Sequence, residues 1–229
     1  MTDNNVHPFA KWQGDAWPYR YRLEIHVGEL HGGVPRNPDV VRAWLRAKAG
    51  WTDEMEIEAE VQRIFALDPE RADIQVADDA TKELADRHVN GFARDSIGLY
   101  IGGRQVKAGI KESANSARGV NLLPARWGTT SRGVLSFVAE HIMVVEDRLY
   151  LGRTEHDDLH TRFVQTRWGS GITVEEVCYD VDITATVIAN HHFTDEQWAM
   201  IWLTGEQQGL GASRSQGFGR YQVTGWDPA

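Results

Sequence analysis

Residues 209–221 combine the side chains and the backbone freedom that phosphate binding requires. The segment reads GLGASRSQGFGRY and has four glycines in its first eleven residues. Glycine amides can approach a phosphate with no Cβ in the way, arginines add charge, and aromatic rings give a base a surface for stacking. We expect this loop to bind nucleic acid through Gly211, Ser213, Arg214, Gln216, Gly217, Phe218, Gly219 and Arg220, with Tyr221 as a second stacking ring.

The alternative for this loop is a plain connection between a helix and a strand. Glycines alone would serve such a turn. The interleaved serines and arginines, together with Gln216, have no evident use in it, and they favour binding.

A second basic segment precedes this loop in the chain. Over residues 104–118 the apolar side chains recur at helical spacing, and Arg104, Lys107 and Lys111 follow the same spacing along another edge. Gly102 and Gly103 stand just before this helix, where open amides and the helix dipole attract an anion. Lys107 and Lys111 would extend that field along a phosphate backbone. A solvated helix face with ordinary lysines is the alternative.

The histidine pairs of the sequence do not predict a metal site. His156 and His160 stand four residues apart, and His191 and His192 precede a helix cap. A zinc site needs a defined third ligand on a helical frame, whereas residues 156–160 fall in a predicted loop. The sequence also has no Gly-x-Ser-x-Gly elbow and no phosphate-binding Walker loop, so we expect no cofactor.

Two segments resemble a known family. LGASRSQGFGRY, residues 210–221, resembles the glycine-rich loop of the RAMP superfamily, the RRM-like subunits of CRISPR effector complexes and their relatives. YIGGRQVKAGIKESA, residues 100–114, is similar to the strand, turn and basic helix that several of these proteins carry. The resemblance implies an RRM-like fold that binds single-stranded RNA, with subunits side by side along one guide.

The resemblance also implies two further sets of candidate residues. In an RRM-like fold the open face of the sheet commonly binds nucleic acid, and Arg20, Arg22 and His26 lie on the polar side of the first predicted strand. A solvated strand face is the alternative. Some relatives cleave RNA without metal through a histidine, and His26 and His31 are the residues to test for that activity.

Composition describes an ordinary globular chain with one acidic stretch. The 229 residues are 41% hydrophobic and 25% charged, with a net charge of −9. Such a net charge disfavours binding to nucleic acid, but residues 53–79 hold ten acidic residues against two arginines, which leaves the rest of the chain near neutral.

Cys178 alone cannot form an internal disulfide, and the first residues show no signal pattern. No apolar run is long enough to cross a membrane, so we expect a cytoplasmic protein.

The elements that position these residues are predicted from periodicity. We predict strands over residues 19–27, 97–101, 135–145, 148–151, 161–166, 172–189 and 220–226, and helices over residues 38–49, 78–88, 104–118 and from Thr194 onward. The order is a βαββαβ skeleton with insertions, which indicates an α+β, ferredoxin-like or RRM-like antiparallel sheet with helices on one face. We expect a single RAMP-like domain over residues 1–229, with an acidic helical insertion at residues 52–90.

Three functions remain after these observations. The first is a non-catalytic subunit of a CRISPR-effector-like ribonucleoprotein. It would bind single-stranded nucleic acid, RNA more readily than DNA, and assemble with copies of itself or related subunits. The second is a self-assembling structural protein with no nucleic-acid ligand, which the acidity favours. The third is a metal-independent endoribonuclease. We expect no metal, cofactor or membrane partner in any of them.

Overall fold

A computed structural model describes residues 13–35, 42, 45–46, 51–66, 88–118, 133–166 and 169–229. The helices with described bounds are α1 (Gln13–Ala16), α2 (Glu54–Ala66), α3 (Gly103–Ala117), α4 (Val134–His141) and α5 (Asp195–Gln208). The strands are β1 (Tyr19–His31), β2 (Val34–Pro35), β3 (His88–Gly91), β4 (Ala93–Arg94), β5 (Leu99–Gly102), β6 (Ile142–Val144), β7 (Arg148–Tyr150), β8 (Asp158–Thr166), β9 (Gly169–Ala189) and β10 (Tyr221–Pro228).

Four strands form the centre of the main sheet, in the spatial order β10, β1, β9, β6. Each neighbouring pair is antiparallel. Along the chain the order is β1, α3, β6, β9, α5, β10, which is the predicted βαββαβ skeleton. The fold is therefore α+β and ferredoxin-like, as the sequence predicted.

One face of this sheet carries both long helices. In β1 the side chains of Leu23, Ile25 and Val27 are buried while the residues between them are not, so only one face is covered. α3 and α5 pack against each other on that face and bury apolar side chains in one core with it. Thr194 and Gln197 exchange hydrogen bonds in a capping box that starts α5, as predicted.

β9 is longer than the core needs, and its first half extends the sheet. Residues 169–177 pair with β8 in an antiparallel hairpin, and β3 runs parallel to residues 173–175 on the other side. β2 pairs with β3, and β4, β5 and β7 form a second, three-stranded sheet. These additions surround the end of β1 at His31.

The prediction of one strand over residues 135–145 was wrong. Residues 134–141 form α4, and only Ile142–Val144 continue as β6. Val134, Phe137 and Val138 are buried at the spacing of a helix face, so the period is near 3.6 and not two. The assignment of residues 156–160 to a loop was also wrong in part, because β8 begins at Asp158.

The acidic segment carries a small core of its own. Leu45, Ile57 and Val61 are buried together with Trp51 packed against them. Most of the helix predicted over residues 38–49, and residues 78–87 of the next, lie outside the described residues. His88, predicted to end that second helix, instead begins β3 in the main sheet.

Candidate nucleic-acid interface

The basic edge of α3 is open to an incoming anion. Arg104 is exposed, and Lys107 and Lys111 are half-buried at successive turns of the same edge. No carboxylate in the described part of the chain forms an ion pair with any of the three. The N–H of Gly103, expected to be open, donates instead to the carbonyl of Asp147 at 3.1 Å. The attraction of this helix for an anion therefore comes from its side chains more than from its first amide.

The glycine-rich loop links α5 to β10 and needs its glycines. Gly209, Gly211, Gly217 and Gly219 have φ values of 77°, 79°, 93° and 71°, in the region that other residues rarely adopt. At Gly211 an added Cβ would also lie 2.6 Å from the carbonyl oxygen of His31. The loop is thus pressed against the end of β1, and its shape is built into the sequence.

Internal hydrogen bonds occupy several of the amides that we expected to hold phosphate. The N–H of Gly219 donates to the Glu29 carbonyl at 3.0 Å, and the N–H of Gly217 donates to the Arg214 carbonyl at 2.9 Å. Ala212 likewise donates to the His31 carbonyl at 3.0 Å. The bonds to Glu29 and His31 dock the loop on β1. Contact between phosphate and the Gly217 or Gly219 N–H is therefore disfavoured, and side chains are left to make it.

The loop lies directly against α3. The Arg214 guanidinium is 2.7 Å from the Glu112 carboxylate. Just before the loop, Gln208 at the end of α5 hydrogen-bonds the hydroxyls of Ser113 and Ser116 at 3.2 and 2.5 Å. The two basic segments singled out in the sequence are thus neighbours in space. The same contact compensates the charge of Arg214, which the sequence could not show.

The remaining loop side chains differ in how accessible they are to a ligand. Gln216 and Arg220 are exposed, whereas Phe218 is half-buried and stacks on His31 with ring centres 4.2 Å apart. Tyr221 was a wrong choice for base stacking, because it is only 6% exposed and belongs to the core. Its burial, with Glu206 nearby, raises the pKa of the phenol.

A buried polar cluster holds the loop from behind. Glu175 accepts hydrogen bonds from Ser213 at 2.7 Å and from Arg162 at 2.9 Å, and it lies 2.9 Å from His31 Nδ1. The other ring nitrogen of His31 is 3.0 Å from Glu29. Since both ring nitrogens face carboxylates, which only accept, His31 is placed to donate twice as an imidazolium.

Titration of this cluster follows from its partners. Burial alone would raise the pKa of Glu175, but hydrogen bonds from His31, Ser213 and Arg162 lower it to about 2. Burial alone would lower the pKa of His31, and the bonds to Glu175 and Glu29 raise it above 6.5 instead. Both pKa shifts therefore favour the ion pair between His31 and Glu175.

Sequence reasoning missed Glu175 and Arg162. The signal that could have found the first is the pair of consecutive glutamates at 175 and 176, in the middle of an apolar strand. Successive strand residues point to opposite faces, so one of them must point inward. In the structure both are buried, because Glu176 accepts from Arg94 and from the N–H of Phe92 on the other face.

The open face of the sheet is less suited to a phosphate backbone than the resemblance implied. Arg22 is 2.6 Å from Glu24 on its own strand. His26 lies 2.8 Å from Asp182 and 3.7 Å from Asp180 on the neighbouring β9. The carboxylates compensate the charge of these basic side chains. The same carboxylates would repel a bound polyanion.

The two histidines proposed for cleavage differ in access. His31 is 0% exposed, so it cannot reach a scissile phosphate in this conformation, and that candidate was wrong. His26 is on the open face beside Asp182. His160, which we assigned to a loop, lies in β8. Its ring packs edge-on against the His31 ring, with the ring centres 5.2 Å apart. Within the described ranges no group of three or more His, Cys, Asp or Glu side chains is arranged to hold a metal ion.

Comparison with known proteins gives likenesses in structure. No family model matches the sequence, and no curated protein matches it. The fold is similar to a chain of a solved structure titled "Cryo-EM structure of the Type III-B Cmr-beta bound to cognate target RNA", with a TM-score of 0.44 and 11% identity. The match covers 92% of this chain and 61% of that chain. The ferredoxin-like fold is evident from the strand order independently of this likeness.

Among the described helices, none is both long and apolar enough to span a bilayer.

Proposed function

We propose that this protein binds single-stranded nucleic acid, RNA in preference to DNA, along the basic edge of α3 and the neighbouring glycine-rich loop. The observation that carries the proposal is the uncompensated charge of Arg104, Lys107 and Lys111 on one helix edge beside that loop. Cations at one-turn intervals match a phosphate backbone, whereas Arg22 and His26 on the sheet face lie beside carboxylates.

The loop contributes side chains more than amides to this interface. Arg220 and Gln216 are exposed at its tip, and Ser213 and Phe218 are held in place by Glu175 and His31. A loop held rigid before binding loses less conformational entropy when a ligand arrives. The interface proposed here is therefore preformed.

The test is binding of a labelled single strand of about 30 nucleotides at low salt, followed by fluorescence anisotropy. The variant is Lys107→Ala/Lys111→Ala. The matched control is Arg20→Ala/Arg22→Ala, which removes the same charge from the sheet face. We expect the helix variant to lose about tenfold or more in affinity and the control to lose little. Failure of the wild type to bind any single strand would remove the proposal, and a loss confined to the control would move the interface to the sheet.

We also propose that the protein assembles with copies of itself or with related subunits, as part of a larger ribonucleoprotein. Phe163 on β8 is 83% exposed, and Leu159 on the same face is 45% exposed. An exposed aromatic beside an exposed aliphatic residue is typical of a contact surface. Light scattering after nuclease treatment tests this: a large particle that persists without nucleic acid indicates self-assembly alone, and a particle that falls apart indicates assembly on the strand.

A further inference from the structure

A cavity of about 440 Å³ lies where the glycine-rich loop, the end of β1 and the start of α3 meet. Its wall includes His31 and Gly211 on one side and Arg104 and Gln105 on another. Small-molecule sites of proteins begin at about 300 Å³, so the space can hold a ligand of nucleotide size.

Three arginines, His31 and one carboxylate supply the charge of its wall. Arg94 bonds Glu176 and Arg148 bonds Asp95, so these two guanidinium groups are held in fixed positions. Arg104 has no such carboxylate within the described part of the chain. It is therefore the cation left to bind an incoming anion, while Asp147 on the same wall can accept from hydroxyl groups.

The cavity wall also contains an acceptor that lacks a donor. Gln105 Oε1 is buried, and no donor within the described residues reaches it. A buried carbonyl without a donor is unfavourable, so a small shift of the Gln105 side chain that brings Oε1 to a ligand N–H would be favoured. An anion and an N–H group on one ligand would match Arg104 and Gln105, which are consecutive residues.

A flat surface completes the set of groups. The Tyr100 ring lines the cavity, and the Arg148 guanidinium sits 5.2 Å from its centre. Aromatic rings and guanidinium planes are the surfaces on which bases stack. A phosphate, ribose hydroxyls, a base N–H and a planar base are found together in one class of ligand, the nucleotides.

We propose that this cavity binds one nucleotide unit, with its phosphate at Arg104, its ribose hydroxyls at Asp147 and its base near Gln105 and Tyr100. The inference rests on the proposed function, since Arg104 belongs to the basic edge of α3. A free nucleoside monophosphate and one unit of a bound strand have the same chemistry. Competition between the two ligands distinguishes these sources.

Both walls of the cavity are built before any ligand arrives. Glu175 holds the loop side through Ser213 and His31, and Glu176 holds the opposite side through Arg94 and the Phe92 N–H. Consecutive residues of one strand thus brace both sides of the space. Binding there requires little reorganisation of the protein.

Calorimetric titration of the full chain with each of the four common nucleoside monophosphates, up to about 10 mM, tests the proposal. We expect saturable binding of at least one, and binding about tenfold weaker or worse for the matching nucleoside without phosphate. Arg104→Ala and Gln105→Leu should each weaken nucleotide binding by about tenfold. Arg20→Ala is the matched control, because Arg20 is an exposed arginine on the sheet face and not on the cavity wall, and should change binding less than about twofold.

Competition with a labelled strand identifies the source of the nucleotide. Displacement of the strand by the monophosphate means that the cavity holds one unit of the strand, and simultaneous binding means that it holds a free nucleotide. Both results support the site. If a strand binds while no monophosphate does, or if Arg104→Ala and Gln105→Leu leave monophosphate binding unchanged, the cavity proposal is overturned and the proposed function stands. If monophosphate binds and no strand does, the proposed function fails instead.

Discussion

Arg214 and Glu112 form an ion pair, 2.7 Å between Nη1 and Oε2, that fastens the glycine-rich loop to α3. The pair is partly exposed, so its contribution to stability is small. Its consequence for binding is larger, because the carboxylate lies within the proposed interface and compensates the loop arginine nearest the helix. A residue that looks available in the sequence is thus already engaged.

Glu112→Gln should therefore strengthen binding of a single strand. The substitution removes a negative charge from the interface and releases Arg214 to bind one more phosphate. We expect an affinity gain of several-fold at low salt and a salt dependence steeper by about 0.7 in log–log slope. Glu24→Gln is the matched control, because it releases Arg22 on the sheet face in the same way. An equal gain from both variants would contradict the placement of the interface.

The salt dependence of binding should reveal how many phosphates the cations of α3 neutralise. Removal of one phosphate-binding cation should flatten the log–log slope by about 0.7 on a single strand. Lys107→Ala and Lys111→Ala should each have this effect, and the two effects should add because each lysine binds its own phosphate. Anisotropy titrations at several salt concentrations measure the slopes. Slopes that do not change would mean that these lysines touch no phosphate.

Glu175→Gln should destabilise the fold strongly. The substitution leaves the buried His31 beside a neutral amide and removes the partner of the half-buried Arg162, and removal of one partner from a buried ion pair costs about 3–5 kcal/mol. Urea denaturation followed by tryptophan fluorescence measures the change. Glu24→Gln, which removes one partner of the exposed Arg22 pair, should cost less than about 1 kcal/mol. Similar losses in the two variants would show that the cluster does not stabilise the loop.

Stability should fall at acid pH because of the same glutamate. The folded-state pKa of Glu175, about 2, is below its ordinary value of 4.5. A carboxyl group whose pKa is lowered by folding stabilises the fold fully at any pH above its pKa in the unfolded chain. The contribution of Glu175 should therefore be lost as pH falls from 4.5 towards 2. The melting temperature of the wild type should drop over this range. That of Glu175→Gln should drop less, and parallel curves would refute the assignment.

The contribution of His31 to stability should be lost as pH rises, whereas that of Glu175 is lost as pH falls. Hydrogen bonds to Glu175 and Glu29 outweigh its burial and raise its pKa above 6.5. Its contribution is thus complete below pH 6.5 and should be lost as pH rises through the higher folded-state value. Comparison of His31→Gln with the wild type measures it: the difference in melting temperature should shrink above neutral pH. A constant difference would mean that His31 does not change its charge.

Gly219→Ala should destabilise the loop far more than Gly28→Ala. Gly219 has a φ of 71°, and an added Cβ would collide with the backbone of Leu210. The backbone angle alone costs a non-glycine residue about 1–2 kcal/mol, and the collision adds to that. Gly28 lies in β1 with nothing within 4 Å of an added Cβ, so alanine there should be tolerated. Thermal unfolding of the two variants gives the comparison.

The sequence alone determined the features that depend on neighbouring residues. The alternation in β1, the helical spacing of residues 104–118 and the capping box at Thr194 each specify one local conformation, and their order specified the ferredoxin-like skeleton. The glycines of residues 209–219 marked a loop with unusual backbone angles. Periodicity failed at residues 134–141, where a run rich in apolar residues fits a strand as well as a helix.

Only the tertiary structure decided which groups a ligand can reach. The carbonyl of Glu29 and the carboxylate of Glu112 are far in sequence from the loop groups that they engage, and the shielding of His31 needs contacts from β8 and β9. Hydrogen-bond partners and burial arise when distant segments pack together. A local pattern can therefore name donors and cations, but folding determines which of them stay open to bind.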